Sequence, residues 1–331
     1  MNSSNCVSLA NSKKQLINEG NSYKTLRIRY DKNLATILGI SNDALHGLTQ
    51  NATQYYRELH LNIKGKDRLL VEATGLLKTI QYKILSNILK RLNPCPSSFG
   101  GVKGKSIKSN AIVHARSKYI LKLDIKNFYP SIHSTKVYKF FIQQECSPDV
   151  SRILTALTTY NYSLPLGAST SPMLADQIVR SIDFRIHGIA NKAGLKYTRY
   201  VDDITLSGSF DLERMTQTIA KILKQSGFKI KKDKLEYYKP SEIGQERIIT
   251  GVRITDGRIS APLDYVSALE SELKSAIYQS RKKIVDGELQ TREHYRGKIV
   301  YIKWLDPKLG QRLLKLYRKV KWKHLEWAIS M

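Results

Sequence analysis

Acidic side chains are scarce in this chain. Against 55 Lys and Arg there are 28 Asp and Glu, a formal net charge of +27 over 331 residues. A protein this basic repels itself unless a polyanion partners it, and nucleic acid is the usual one. Cysteine is scarcer still: Cys6, Cys95 and Cys146 are odd in number, scattered, and without Cys-x-x-Cys spacing. That pattern argues against a disulfide framework and a structural zinc, and leads us to expect a reducing, cytoplasmic setting. Long apolar runs are missing as well. Nothing approaches the ~20 residues of a membrane span, so no membrane partner is expected. The polar opening Met1-Asn2-Ser3-Ser4-Asn5 lacks the basic-then-apolar pattern of a secretory signal. No repeat or low-complexity linker interrupts the chain, so its two or three subdomains should pack together.

In a chain poor in acids, two held side by side need a reason. Asp202 and Asp203 lie between the β-favouring runs Leu195-Lys196-Tyr197-Thr198 and Ile204-Thr205-Leu206-Ser207, a β-hairpin pattern with both acids at or beside the turn. Taken alone, the pair is better explained as a solvated turn, where Asp is common for local reasons. Tyr119-Ile120-Leu121-Lys122-Leu123-Asp124 is the best strand pattern in the chain and ends on a third carboxylate. An acid at a sheet rim stands where sites form; it could equally cap a helix. Leu164 to Pro172 is a small-residue loop opening a helix through Leu174, Ile178 and Ile182, with Pro172 suited to the first turn. Such a loop admits a ligand close to the backbone, or is an ordinary capped turn.

Leu59-His60-Leu61-Asn62-Ile63 and Leu69-Leu70-Val71 flank Lys64-Gly65-Lys66-Asp67-Arg68, a hairpin whose cationic tip fits a phosphate or plain solvent. Leu76 to Leu89 has the spacing of an amphipathic helix. Gly104-Lys105-Ser106 suggests a phosphate-binding loop, but the first glycine would have to stand at 99, which is Phe99. A flexible basic loop is expected over 99–106, and a nucleoside triphosphatase is rejected. A helix is expected over 212–223 and strands over 228–230 and 247–254. Two amphipathic helices follow, on Val266, Leu269, Leu273 and Ile277 and on Leu309, Leu313, Leu316, Tyr317 and Val320. Arg312, Lys315, Arg318, Lys319 and Lys321 surround the last, which suits a helical subdomain gripping a phosphate backbone. His114 and His133 are isolated, and no Ser or Cys nucleophile has a convincing His partner.

Two strands of one sheet can gather Asp124, Asp202 and Asp203, and three carboxylates can hold two Mg²⁺ ions about 3.5–4 Å apart for phosphoryl displacement. The ordered series Leu-Asp-Ile-Lys-Asn-Phe-Tyr (123–129), Pro-Leu-Gly-Ala-Ser-Thr-Ser-Pro (165–172) and Tyr-Val-Asp-Asp (200–203) resembles the palm motifs of reverse transcriptases, over roughly residues 30–325. Asn110-Ala111-Ile112-Val113-His114 is similar to the Asn-Ala-x-x-His signature of bacterial retron reverse transcriptases, and Ile249-Thr250-Gly251 to their Val-Thr-Gly.

The resemblance implies an α+β right-hand polymerase. Its parts would be an N-terminal arm (1–30), fingers (31–118), a palm whose antiparallel sheet carries the acids (119–255, with a fingers insertion near 135–165) and a helical thumb (256–331). It implies Asp124, Asp202 and Asp203 as catalytic metal ligands for two Mg²⁺, Tyr129 under the incoming sugar, and Lys64 and Arg68 on the triphosphate. Gly167 and Ala168 would lie against nucleotide and template, and Asn110, His114, Thr250 and Gly251 would serve recognition of RNA. The implied partners are dNTPs, a structured noncoding RNA, the DNA made from it as RNA-linked multicopy single-stranded DNA, and an effector protein in antiphage defence. Two positions depart from the pattern. Leu166 stands where many relatives have Gln, which puts sugar discrimination in question, and Val71-Glu72-Ala73 lacks the usual fingers proline. Other readings are a different bacterial defence or group II intron-like reverse transcriptase, or a catalytically silent RNA-binding scaffold.

Overall fold

A computed structural model describes residues 25–63, 65–240, 246–284 and 290–325. Of the arm expected over 1–30, residues 1–24 lie outside these, as does Lys64. The first helices are α1 (Asp31–Leu38), closed by left-handed Gly39, and α2 (Asn42–Gln50), whose Ala44 N–H donates to the Ser41 hydroxyl. Strands β1 (Tyr56–Ile63) and β2 (Lys66–Ala73) pair antiparallel from Tyr56 opposite Ala73 to Ile63 opposite Lys66. The strands are longer and the turn tighter than expected, so Arg68 stands within β2 opposite Leu61 rather than at the tip. Helix α3 (Gly75–Lys83) widens into a π turn over Ile84–Ile88 and tightens into a 3-10 turn over Leu89–Arg91.

Next come α4 (Ile107–His114), β3 (Tyr119–Asp124), α5 (Ser134–Gln143), α6 (Pro148–Thr158) and α7 (Ser171–Lys192). They are followed by β4 (Lys196–Tyr200), β5 (Asp203–Gly208), α8 (Glu213–Gln225), β6 (Glu236–Tyr238), β7 (Arg247–Ile249), β8 (Val252–Thr255) and β9 (Arg258–Ser260). Helices α9 (Leu263–Lys282), α10 (Arg292–Leu305) and α11 (Pro307–Tyr317) complete the described chain. The acids belong to a four-stranded sheet in the order β4-β5-β3-β6. Its fourth strand is β6. The strand expected over 228–230 is replaced by one antiparallel bridge from Ile230 to Ile125. The run expected at 247–254 is a hairpin: β7 and β8 turn at Thr250-Gly251, and β9 adds a third strand.

The chain forms two compact units. One comprises residues up to Lys103, Leu123–Ile204 and Glu213–Leu235; the other comprises Gly104–Lys122, Thr205–Leu212 and the chain from Glu236. In the first, α1, α2, α3 and α6 pack together, with Leu34, Leu38, Leu45, Leu77 and Ile80 fully buried. Each such side chain contributes about 1.5–3 kcal/mol through removal from water. In the second, α4 and α10 pack on the three-stranded sheet. There the Trp322 ring stacks tilted on both Tyr295 and Tyr317. Among the described residues no helix is long and apolar enough to cross a membrane.

Candidate active site

Every acid singled out in the sequence falls in the first unit. Asp124 ends β3, and Asp202 stands in the turn between β4 and β5. The Ile125 N–H donates to the Asp202 carbonyl at 2.9 Å, and the Lys231 N–H donates to the Asp124 carbonyl at 2.8 Å. These bonds tie the strand end, the hairpin turn and the segment before β6 to one another, and they set the two carboxylates together. Burial, and then the Asp124 carboxylate, push the Asp202 carboxyl above its ordinary range, against the pull of Lys234 and Arg68. Lys234 donates from Nζ to Asp124 Oδ2 at 2.6 Å, a bond that raises the lysine's own pKa. Asp203, the first residue of β5, lies within electrostatic reach of Lys234. Tyr129 stands close by. Its ring packs on Phe128 at 5.4 Å, and its phenol is pushed up to about 12 by burial and then by the Asp202 charge.

The small-residue loop is docked on the fingers-like hairpin. Val71 of β2 donates its N–H to the Leu166 carbonyl at 2.7 Å. Gly167 has φ +124°, and a Cβ there would stand 2.9 Å from both the Val71 carbonyl oxygen and Leu70 Cδ1. Glycine is required here for backbone conformation and for close approach. Ala168 is buried behind it. Arg68 is among the cations that act on Asp202, so hairpin, loop and acids belong to one local assembly.

The basic loop expected over 99–106 begins beside a paired segment. Ser98 bridges Arg199 in parallel; the Arg199 N–H donates to the Ser97 carbonyl, and the Phe99 N–H to the Arg199 carbonyl, both at 2.8 Å. Ser98 is fully buried. Farther on, Ser106 and Ser109 exchange capping bonds that start α4. Backbone bonds to Arg199 thus hold residues 97–99, while 100–105 carry no helix or strand.

In the second unit, Asn110 and His114 are buried. His114 Nδ1 lies 2.7 Å from Ser207 Oγ, and Asn110 Nδ2 donates to Thr250 Oγ1 at 3.4 Å. Thr250 and Gly251 are both left-handed, φ 47° and 76°, the pattern of a type I′ hairpin turn. Asn110 thus supports that turn, His114 is bonded to β5, and Gly251 is exposed.

Among the described residues no three His, Cys, Asp or Glu side chains are gathered tightly enough to hold a metal ion. Asp203 begins β5, and Lys234 is bonded to an Asp124 oxygen. What is present is two hard carboxylates crowding each other, Asp202 forming no salt bridge among the described residues. That donor set fits Mg²⁺, which is commonly held by one or two carboxylates, with waters and substrate phosphates completing its octahedron.

Residues 64–254 match the reverse transcriptase (RNA-dependent DNA polymerase) family. The chain is similar to the retron Ec86 reverse transcriptase of Escherichia coli, 31% identical over 291 residues, which cover 86% of this chain and 87% of that one. It belongs to the retron reverse transcriptases. A Myxococcus xanthus relative, the retron Mx65 reverse transcriptase, is 28% identical, with 87% of this chain and 71% of that one covered. Among solved structures the chain resembles telomerase from Candida albicans in complex with a telomeric RNA fragment. That likeness has a TM-score of 0.39 and 11% identity over 63% of this chain and 42% of that one, too slight to build on. This retron reverse transcriptase is an RNA-directed DNA polymerase, and the α+β fold accords with that. Two charged residues of its site escaped sequence reasoning. Lys234 is hidden in the basic run Lys229 to Lys234, and Arg199 looks like one more surface cation beside Tyr200.

Proposed function

We propose that this retron reverse transcriptase copies a structured noncoding RNA into DNA that remains joined to the RNA, yielding multicopy single-stranded DNA. The observation that carries this reading is the pair Asp124 and Asp202, crowded together and flanked by Arg68 and Lys234. Two Mg²⁺ held by these carboxylates, with Asp203 beside them, would activate a primer hydroxyl and neutralise the departing pyrophosphate. Arg68, with Lys64, would neutralise the dNTP triphosphate. Tyr129, packed on Phe128 beside Asp202, would bear on the sugar. Gly167 and Ala168 would leave the nucleotide and template room against the backbone. The Thr250-Gly251 turn, supported by Asn110, would meet the RNA, with His114 behind it. Fingers over 31–118, palm over 119–255 and thumb over 256–331 would be the working parts.

By likeness to its relatives, the first primer would be a 2′-hydroxyl of a guanosine in the RNA, and an effector protein would join the system in antiphage defence. Purification of the chain together with RNA encoded beside its gene, followed by addition of dNTPs and Mg²⁺, should give DNA that stays with the RNA after denaturation. Debranching enzyme should release it. Extension of an annealed primer with no such linked product would leave a reverse transcriptase of another system.

A further inference from the structure

The turn that carries Asp202 is strained. Val201 has φ +58°, and a β-branched residue in the left-handed region is a genuine outlier. Such a conformation persists only where its surroundings over-determine it. Two neighbours do so. The first, Arg199 of β4, turns its guanidinium inward, with 2% of the side chain exposed. Its Nη1 donates to the Val201 carbonyl at 2.9 Å. The rest of the fork is held by α7: Nε and Nη2 donate to both oxygens of Asp183 at 2.7–3.0 Å, and Nη2 also donates to Asp176 Oδ1 at 2.7 Å. Both carboxylates are anchored in turn, Asp183 by the Tyr197 hydroxyl at 2.6 Å and Asp176 by the Cys95 N–H at 3.2 Å. The second is Gly100. A Cβ there would lie 2.6 Å from Val201 Cγ2 and 2.7 Å from Val201 N, so the backbone of the 97–100 segment presses directly on the turn.

We infer that Arg199, gripped by Asp183 and Asp176, is a positioning residue for nucleotide addition: it holds the Val201 carbonyl, and so keeps the strained turn aimed to place Asp202 beside Asp124. Gly100 is the second wall. All three charged side chains of the clamp are buried, and a buried ion pair is a poor source of stability compared with apolar packing. A planar fork that meets a carboxylate and a backbone carbonyl together gives what a lysine ammonium cannot, a fixed angle between the two. The clamp rests on the polymerase reading of the site.

The test is an epistasis cycle on the full chain: wild type, Arg199→Lys, Val201→Gly and the double variant. Each is measured for melting temperature, template–primer Kd, dNTP KM and single-turnover rate of nucleotide addition. Misplacing a reacting group by about 1 Å costs on the order of a hundredfold, so Arg199→Lys should slow addition by that order while Kd and KM stay within about twofold. Glycine adopts φ +58° without strain, so Val201→Gly placed in the Arg199→Lys background should recover much of the lost rate without recovering lost melting temperature. A wild-type rate in Arg199→Lys overturns the inference, and so does a double variant whose loss is the product of the two single losses. Should Arg199→Lys not fold, Gly100→Ala pushes the same turn from the other wall. Its rate must fall, and Val201→Gly must restore part of it; absence of either effect also overturns the inference. A wild-type chain that extends no primer with Mg²⁺ would instead remove the polymerase reading, and the inference with it.

Discussion

At Asp202, burial and the neighbouring Asp124 carboxylate both oppose ionisation, while Lys234 is bonded to Asp124 instead. A carboxyl whose pKa is raised in the fold holds its proton more tightly folded than unfolded. The stability it adds is therefore present in acid and is lost as pH rises through the raised value. At neutral pH, Asp202 works against the metal-free fold. Asp202→Asn keeps the shape and removes the charge. Its melting temperature should equal or exceed that of the wild type, while primer extension drops by at least on the order of a hundredfold. Mg²⁺ at a hundred times its Kd should stabilise the wild type by about 2.7 kcal/mol and the variant by much less, read by thermal unfolding with and without the ion. A variant that still extends primers at the wild-type rate would falsify the metal assignment.

Two elements are set by backbone constraints that can be removed singly. The small-residue loop lies on β2 because Gly167 has no Cβ. Gly167→Ala forces a contact with the Val71 carbonyl and Leu70, and overpacking of this kind costs about 1–3 kcal/mol. Chemical denaturation should show that loss, together with slower extension as the loop lifts from the hairpin. The β7–β8 turn offers the opposite case. Thr250 is strained where Asn-Gly is the favoured pair, so Thr250→Asn should stabilise the protein by on the order of 1 kcal/mol. If the turn meets RNA, affinity for the cognate RNA should fall even as the melting temperature rises. A rise in both would place the RNA contact elsewhere. Neither constraint was readable from residue patterns, because an approach between positions 71 and 167 leaves no local trace.

At the scale of the whole molecule, the +27 charge governs association. A protein making six to ten phosphate contacts loses affinity by roughly 10³–10⁵ between 50 and 200 mM salt. Anisotropy titrations of an RNA hairpin across that range should give a slope of this steepness, for cognate and unrelated RNA alike. The difference between the two RNAs at fixed salt measures specific recognition. A flat salt response would mean that the excess lysines and arginines do not face the RNA.

Composition alone determined the polyanionic partner. Periodicity found β3, the Asp202–Asp203 hairpin, the β1–β2 hairpin and two helices of the C-terminal region, because amphipathic patterns repeat within a few residues and need no distant partner. Motif order carried the roles proposed for Asp124, Asp202 and Asp203. Tertiary structure decided the rest. It placed Lys234 on Asp124 across 110 residues, turned Arg199 inward onto Asp183 and Asp176, and paired the 97–99 segment with β4. It also buried Asn110 and His114. A three-residue strand such as β6 is too short to show a period, and a charge beside a turn looks solvated until the preceding helix folds back and supplies its counter-ions. Burial and pairing are properties of distance in space, and those distances were created when the chain closed on itself.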